Sequence, residues 1–483
     1  MKSTNHLNRK LLLYLAPPLL LTTIFLYFQL ETIALFFTIR RTSIIGSGSN
    51  IDIVDRLRAS ATFLPLKDTR EGADTWFIST LNDTSEPEGE ARNLLFPSAA
   101  SSGRLLCMAV PSGRDGTKNS YALAWRDALP LDAELRPGLT FLSETFYDHS
   151  NLWHGLTALV PLVSWHARRG CSGARPTRWA FFHHGEVRSG MSGWLMSLAA
   201  ATTGVEVDVE RFSGSIPVCF QEAVVFRRLL AGMSKERMLA TFDFMRCKAR
   251  AQCGSVPRSG ANRTDPAAVR VTILFRRGGR SFKNETAIDQ VFHKECTRVA
   301  GCKLTTAQSG NLTFCDQVGL INGSVVYVSI GCFFDHACMS GTMDLNAWLD
   351  WQVRLLSETD VLISAHGAQM TNMLFMDRNS SIMEFYPMGW RQRAGGGQFV
   401  FRWMASWAGM QHEGSWWDHT GDPCPDGNPD ILSCYKNRQI GMDEAYFSEF
   451  AAKVFNATKE RKMRISREAS VKARGQEGTC QCR

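Results

Sequence analysis

The chain has 483 residues, 44% of them hydrophobic and 21% charged, with 13 Trp and 29 Phe, a composition that builds a packed core and excludes a globally disordered chain. Its length exceeds what one hydrophobic core usually organises, so two packed domains are expected. The formal net charge of +8 suits an anionic ligand, an acidic membrane or nucleic acid alike, but no long Lys/Arg tract interleaves with aromatics, and nucleic acid is not among the expected partners.

In chain order, residues 1–10 read as a short cytosolic tail. Leu11 to Leu30 is an uncharged run of 20 residues, followed after Glu31 by the apolar stretch Thr32 to Ile39. That is long enough to cross the ~30 Å hydrocarbon core as a helix, and Pro17 and Pro18 are tolerated there. No small-x-small site terminates the run, so 11–39 is expected to be a retained transmembrane anchor. Lys2, Arg9 and Lys10 precede it and Arg40 and Arg41 follow it, so the positive-inside rule orients it only weakly.

The cysteines and sequons orient it better. The chain holds 14 Cys, in close spacings such as Cys247/Cys253, Cys296/Cys302, Cys332/Cys338, Cys424/Cys434 and Cys480/Cys482, all beyond the apolar run. These spacings do not match zinc-ligand pairs, and disulfides in an oxidising lumen are the better reading. Sequons fall at Asn82, Asn262, Asn284, Asn311, Asn322, Asn379 and Asn456, which points to a lumenal body. A single-pass type II Golgi membrane protein is expected, with the endoplasmic reticulum as the alternative.

Residues 40–100 read as a stem. An α/β domain is expected over 101–250: a strand at Arg104 to Val110, a strand or short helix at Tyr121 to Pro130, a helix at Leu152 to Val163, strands at Trp179 to His184 and Ile216 to Phe220, and an exposed helix at Gln221 to Leu239. Cys247 to Asp265 lacks bulky apolar residues and is the candidate linker. A second α/β domain, 266–440, opens with strand candidates at Val269 to Phe275, Val325 to Ser329 and Asp360 to Ala365. After the last come His366 and Gly367, a helix over AQMTNMLFM, and a strand at Ser380 to Pro387. Residues 441–483 form a C-terminal helix and Cys-containing tail, in which the basic run Lys459 to Arg467 reads as a solvated helix end.

The unit from Asp360 to Pro387 places its ligand crevice beyond the strand C-termini. Gly367 permits a tight turn, the first amides of the following helix are able to cradle a diphosphate, His366 is placed to donate to the same oxygen, and Glu384 to accept from ribose hydroxyls. A structural turn beside a partly exposed glutamate fits the same composition and spacing.

Three segments together resemble one family. ISAHGAQMTNMLFMDRNSSIMEFYP (Ile363 to Pro387), HSNLWHGLTALVPLV (His149 to Val163) and VTILFRRGGRSFKN (Val271 to Asn284) are similar, in the same order, to the catalytic region of glycosyltransferase family 61, which includes plant xylosyl- and arabinosyltransferases and lumenal GlcNAc-transferases. The resemblance covers roughly 150 to 410. It implies a GT-B-like α/β fold, with two Rossmann-like domains facing across a cleft. It also implies an inverting transfer of xylose, another pentose or GlcNAc from a UDP-sugar to a hydroxyl of a glycan, polysaccharide or glycoprotein. His366, Gly367, Thr371 and Asn372 would form the phosphate-facing loop and Glu384 would hold ribose or adjacent backbone. Arg276 and Arg280 would neutralise the departing diphosphate, with Arg277 an alternate for either, so that no metal is required.

The family often carries Asn-x-x-His with an acidic residue four positions after the His. Here Asn151 and His154 are present but Ala158 stands at the acidic position. His154 is the first candidate for the base that deprotonates the acceptor hydroxyl and Asp148 the second. A membrane-anchored carbohydrate-binding or scaffolding protein with lapsed catalysis is the alternative. His183 and His184, on a strand, would point to opposite faces and not share a metal ion. The aromatic segment Trp403 to Trp417 is either a sugar-stacking platform or core.

Overall fold

The computed structural model describes residues 49–66, 88–145, 151–171, 175–188, 190–226, 230, 232–254, 268–311, 317–321, 324–328, 352–420, 423–425 and 427–472. Among them no helix is long and apolar enough to cross a membrane; the expected anchor at 11–39 lies outside the described residues, as do Cys332, Cys338, Cys480 and Cys482.

The fold is mixed α/β. A nine-stranded sheet is built from β1 (Leu64–Pro65), β2 (Asn93–Phe96), β3 (Leu105–Ala109), β4 (Ser120–Ala124), β5 (Glu134–Glu144), β6 (Pro176–His183), β7 (Glu186–Arg188), β8 (Asp208–Val209) and β9 (Val218–Phe226). Its main order is β1-β4-β3-β9-β5-β6-β7. β9, β5 and β6 run parallel, whereas β2, β3, β4 and β7 add antiparallel pairs. The sheet is therefore mixed, with a parallel part at β9, β5, β6 and β8. β12 (Gln317–Ile321) and β13 (Ser324–Val328) form a separate two-stranded antiparallel hairpin, so the strand expected from Val325 pairs there and not in a parallel sheet.

The second large sheet contains β10 (Val269–Phe275), β11 (Cys302–Gln308), β14 (Val361–Ala365), β15 (Ser381–Tyr386) and β16 (Gln411–Trp417), in the order β11-β10-β14-β15-β16 with every pair parallel. Parallel strands covered on both faces must be apolar on both, and all five residues of β14 and all six of β15 are buried.

The helices are α1 (Ser49–Ala59), α2 (Leu152–Arg168), α3 (Gly193–Thr203), α4 (Lys235–Gln252), α5 (Glu285–Thr297), α6 (Gln352–Ser357), α7 (Trp390–Arg393), α8 (Val400–Trp407), α9 (Ile431–Lys436) and α10 (Glu444–Lys472). Alternation along each strand assigns the layers. Leu274, Leu362 and Ile382 enter one apolar cluster with residues of α2, α3, α4 and α8 and with Phe141, Trp179 and Val224 of the first sheet. Ile273, Ile363 and Met383 face the other way, against Phe292 of α5 and Phe447 and Phe450 of α10. One helical layer thus lies between the two sheets and binds them together.

Several local expectations change. The helix expected from Gln221 begins only at Lys235, because β9 continues through Phe226 with Ala223, Val224 and Val225 buried. β2, inside the expected stem, pairs with β9. The last helix is not simply solvated at its basic run. Arg461 donates to Glu413 at 2.9 Å, and Lys462 lies 2.6 Å from Asp360, whose carboxylate also chelates Arg270. Cys296–Cys302 and Cys424–Cys434 are disulfides, and Cys107–Cys219 joins β3 to β9 across 112 residues, a pairing invisible to local spacing.

Candidate functional site

In chain order the parallel sheet reads 2-1-3-4-5, so connections leave its first and third strands, β10 and β14, in opposite directions. The crevice beyond the carboxyl ends of those two strands is where open α/β sheets receive ligands. β10 ends at Phe275 and delivers Arg276 to Arg280; β14 ends at Ala365 and delivers His366 and Gly367. Two sequence-predicted clusters 90 residues apart therefore meet at one edge.

Gly367 is required there by close approach. Its backbone is extended, but a Cβ would collide with Arg276 Nη1 and Gln369 Oε1. That guanidinium donates to Gln369 Oε1 at 3.2 Å and to the His366 carbonyl at 3.5 Å. Arg280 adopts a left-handed backbone with φ 63°, which is uncommon for a residue with a side chain. Its amide is held by the Arg438 carbonyl at 2.8 Å, and its guanidinium lies 5.5 Å from the Trp390 ring. Gly279 has no room for a Cβ against Asn437, so the loop is pinned. Arg277 is exposed.

Neither Arg276 nor Arg280 pairs with a carboxylate among the described residues, and Nε of each is buried with no hydrogen-bond partner there. Burial disfavours both charges. It lowers Arg276, and together with repulsion from Arg276 it brings Arg280 down to about 10. Both remain cationic at neutral pH, an uncompensated arrangement that a bound dianion would relieve.

Glu384 is fully buried on β15, beside β14. His366 Nδ1 lies 2.7 Å from one of its oxygens and His412 Nε2, from β16, 2.8 Å from the other. Burial alone would raise its pKa; hydrogen bonds and charge from the two imidazoles outweigh this and hold it at about 2. With both oxygens engaged inside the protein, Glu384 is not presented to a ribose, and its direct effect falls on the two rings. The carboxylate can only accept, so Nδ1 is the donor of this contact. The His366 ring is further sandwiched, with Tyr386 stacked at 4.6 Å and Phe401 edge-on at 5.3 Å.

The segment after Gly367 is a 3-10 helix, Ala368–Phe375, within the stretch where a helix was expected. Thr371 and Asn372 are buried in it, and Asn372 faces the first half of the chain: its Oδ1 accepts from Trp194 Nε1 at 2.8 Å. α4 grips the far end, with Arg246 donating to the carbonyls of Leu374 and Ala408 and Arg250 to that of Phe375. Asn372 therefore latches the two halves together, a different position from the phosphate-facing one expected.

α2 reaches the site through aromatics. Asn151 caps it by accepting from the Trp153 amide at 3.0 Å, and Trp153 packs edge-on against Phe401, the residue that contacts His366. His154, the next residue, is half-buried. Ala158, one turn on, is fully enclosed in the apolar layer, where a carboxylate would be desolvated. Asp148 lies outside the described residues.

His183 and His184 do not obey strand alternation, because β6 ends at His183 and His184 turns into the left-handed region. Their rings come to 4.1 Å, and His183 Nδ1 is 2.9 Å from the Thr145 carbonyl. No group of three or more metal-ligating side chains occurs among the described residues.

Sequence reasoning did not single out His412, Gln369, Trp194 or Phe401. His412 lies within the aromatic segment, and its approach to Glu384 depends on the register shift between β15 and β16 at Ile382/Met383, which no local pattern announces.

No family model matches the chain, and no curated protein matches it in sequence. Among solved structures, the chain is similar to a bacterial iron-containing dodecameric glycosyltransferase, TibC from enterotoxigenic E. coli, at 10% sequence identity and a TM-score of 0.27, covering 78% of this chain and 95% of that one.

Proposed function

We propose that this chain is an inverting glycosyltransferase that moves a sugar from a UDP-sugar to a hydroxyl of a glycan, polysaccharide or glycoprotein. The observation that carries the reading is the pair of guanidiniums, Arg276 and Arg280, with no carboxylate partner among the described residues, fixed beside the Gly367 turn at the switch point of a parallel sheet. Two fixed cations whose charges burial disfavours suit a ligand that brings, and in the transition state accumulates, negative charge. The three segments that resemble glycosyltransferase family 61 supply the reaction class.

In the proposed reaction the acceptor oxygen attacks the anomeric carbon from the face opposite the diphosphate. The bond from that carbon to the phosphate oxygen breaks, and its electron pair leaves on UDP. Arg276 and Arg280 stabilise the departing charge, which makes a metal dispensable. His154, or Asp148, takes the acceptor proton. His366, oriented by Glu384, stands at the same edge as a positioning or donor-contacting group. A single displacement inverts the anomeric configuration. Type II anchoring by 11–39 with a lumenal body, in the Golgi or endoplasmic reticulum, is supported by the apolar run, the sequons and the disulfides.

The test is UDP release by the detergent-solubilised full chain over a panel of UDP-sugars and mixed acceptors, with Arg280→Ala alongside. Acceptor-dependent release from one donor, lost in the variant, supports the reading. UDP binding without transfer would favour a binding protein with lapsed catalysis, which the enclosed Ala158 at the expected carboxylate position would explain. Failure to bind UDP would overturn the donor site.

A further inference from the structure

The positive charge at this edge extends beyond the diphosphate pair. Between Glu384 and Glu413 the chain carries Arg391, Arg393 and Arg402 and no Asp or Glu. Arg391 lies 4.1 Å from the ring centroid of Trp417, Arg393 5.0 Å from that of Tyr435, and Arg438 5.5 Å from the same Tyr435. Those rings belong to one apolar cluster, with Tyr386 and Trp390, at the C-terminal ends of β15 and β16. None of the three arginines pairs with a carboxylate among the described residues.

Among the described residues the acidic side chains of this region, Asp418 and Asp430, are already committed. Asp418 accepts from the Thr420 amide and hydroxyl and from the Gly441 amide, and Asp430 caps its own helix through the Ser433 amide. Stacking occupies only the face of a guanidinium, so its N–H edge remains available for bidentate contact with an oxyanion. The same connection also exposes an aromatic pair, Phe399 at 37% and Trp403 at 45%, with ring centroids 6.0 Å apart, a surface suited to the faces of sugar rings.

We infer that the acceptor is an acidic glycan, its carboxylate or sulfate groups held by Arg391, Arg393 and Arg438 and its sugar rings laid on Phe399 and Trp403. This rests on the glycosyltransferase reading and deepens it. A diphosphate occupies Arg276 and Arg280, and a neutral acceptor would leave the three remaining guanidiniums with no carboxylate partner among the described residues. Guanidiniums alternating with aromatic faces match a polymer in which charged substituents alternate with apolar ring faces.

The experiment measures binding of the full solubilised chain to oligogalacturonate, to its fully methyl-esterified counterpart and to a sulfated heparin oligosaccharide at about 0.15 M salt, where long-range attraction is screened. UDP binding is measured separately. The variants are Arg391→Gln/Arg393→Gln, the exposed single change Arg393→Gln, and Lys453→Gln/Arg464→Gln on α10 as a charge-matched control. The expected result is binding of the uronate or the sulfate ligand but not of the esterified one. It should weaken at least tenfold in the double variant and severalfold in Arg393→Gln, and stay unchanged in the control, with UDP affinity within about twofold throughout. The uronate and sulfate arms identify which anion is recognised. Equal binding of the esterified glycan, equal loss in the control, or loss of UDP binding in place of glycan binding would each overturn the inference. UDP binding with no acidic-glycan binding would overturn it while sparing the donor site; failure of UDP binding alone would strike the glycosyltransferase reading instead.

Discussion

His366, one residue past the end of β14, and Glu384 on the adjacent parallel strand β15 meet with Nδ1 2.7 Å from Oε1, and the carboxylate fixes the orientation of the ring. Glu384→Gln preserves volume but leaves an amide that must turn its NH2 toward one of two imidazole donors. The expected result is a stability loss of about 1–3 kcal/mol and a fall of at least tenfold in UDP-sugar turnover. Urea unfolding and initial rates check it; unchanged turnover would remove His366 orientation from the mechanism.

The depressed Glu384 pKa has a pH consequence of definite sign. Its folded value, about 2, lies below the ordinary 4.5, so its stabilising contribution is fully present above the unfolded value and is lost as pH falls from 4.5 toward 2. The full effect is on the order of 3 kcal/mol. The stability gap between the natural chain and Glu384→Gln should therefore narrow between pH 5 and pH 3 in denaturant titrations. A gap that stays constant over that range would mean the carboxylate is not held low.

Gly367→Ala tests the closeness of Arg276. The extended backbone accepts alanine, so the penalty is steric and falls on the guanidinium and on Gln369. UDP affinity should weaken about tenfold, with a thermal midpoint lowered by only a few degrees. In an Arg276→Ala background the same change should have much less effect, the non-additivity expected of touching residues. Additive losses in calorimetry would show that the contact does not matter.

Trp194→Phe removes the donor to Asn372 and leaves a buried amide oxygen unpaired between the two halves. A cost of about 1–3 kcal/mol is expected, read by urea unfolding. The Trp194→Phe/Asn372→Leu pair, which removes both polar groups, should recover part of it; no recovery would assign the loss to packing alone.

Three of the five strands of the parallel sheet, and part of its ligand edge, are legible in the sequence; β11 and β16 are not. The uninterrupted apolar runs at β10, β14 and β15 are legible because strands covered on both faces must be apolar on both. His366 and Gly367 are legible because they stand immediately beyond one of those runs, whereas Arg276 and Arg280 are singled out only by the family resemblance. The tertiary structure alone decided what those residues touch. Glu384 lies between two histidines because strand register, a bulge included, brings His412 beside it. Asn372 turns to Trp194, and Ala158 faces the apolar layer, because the helices of one half pack on the strands of the other. The Cys107–Cys219 bond likewise joins strands 112 residues apart. Periodicity reports which face of an element is buried, whereas pairing between distant elements depends on register and packing, which no local window of sequence contains.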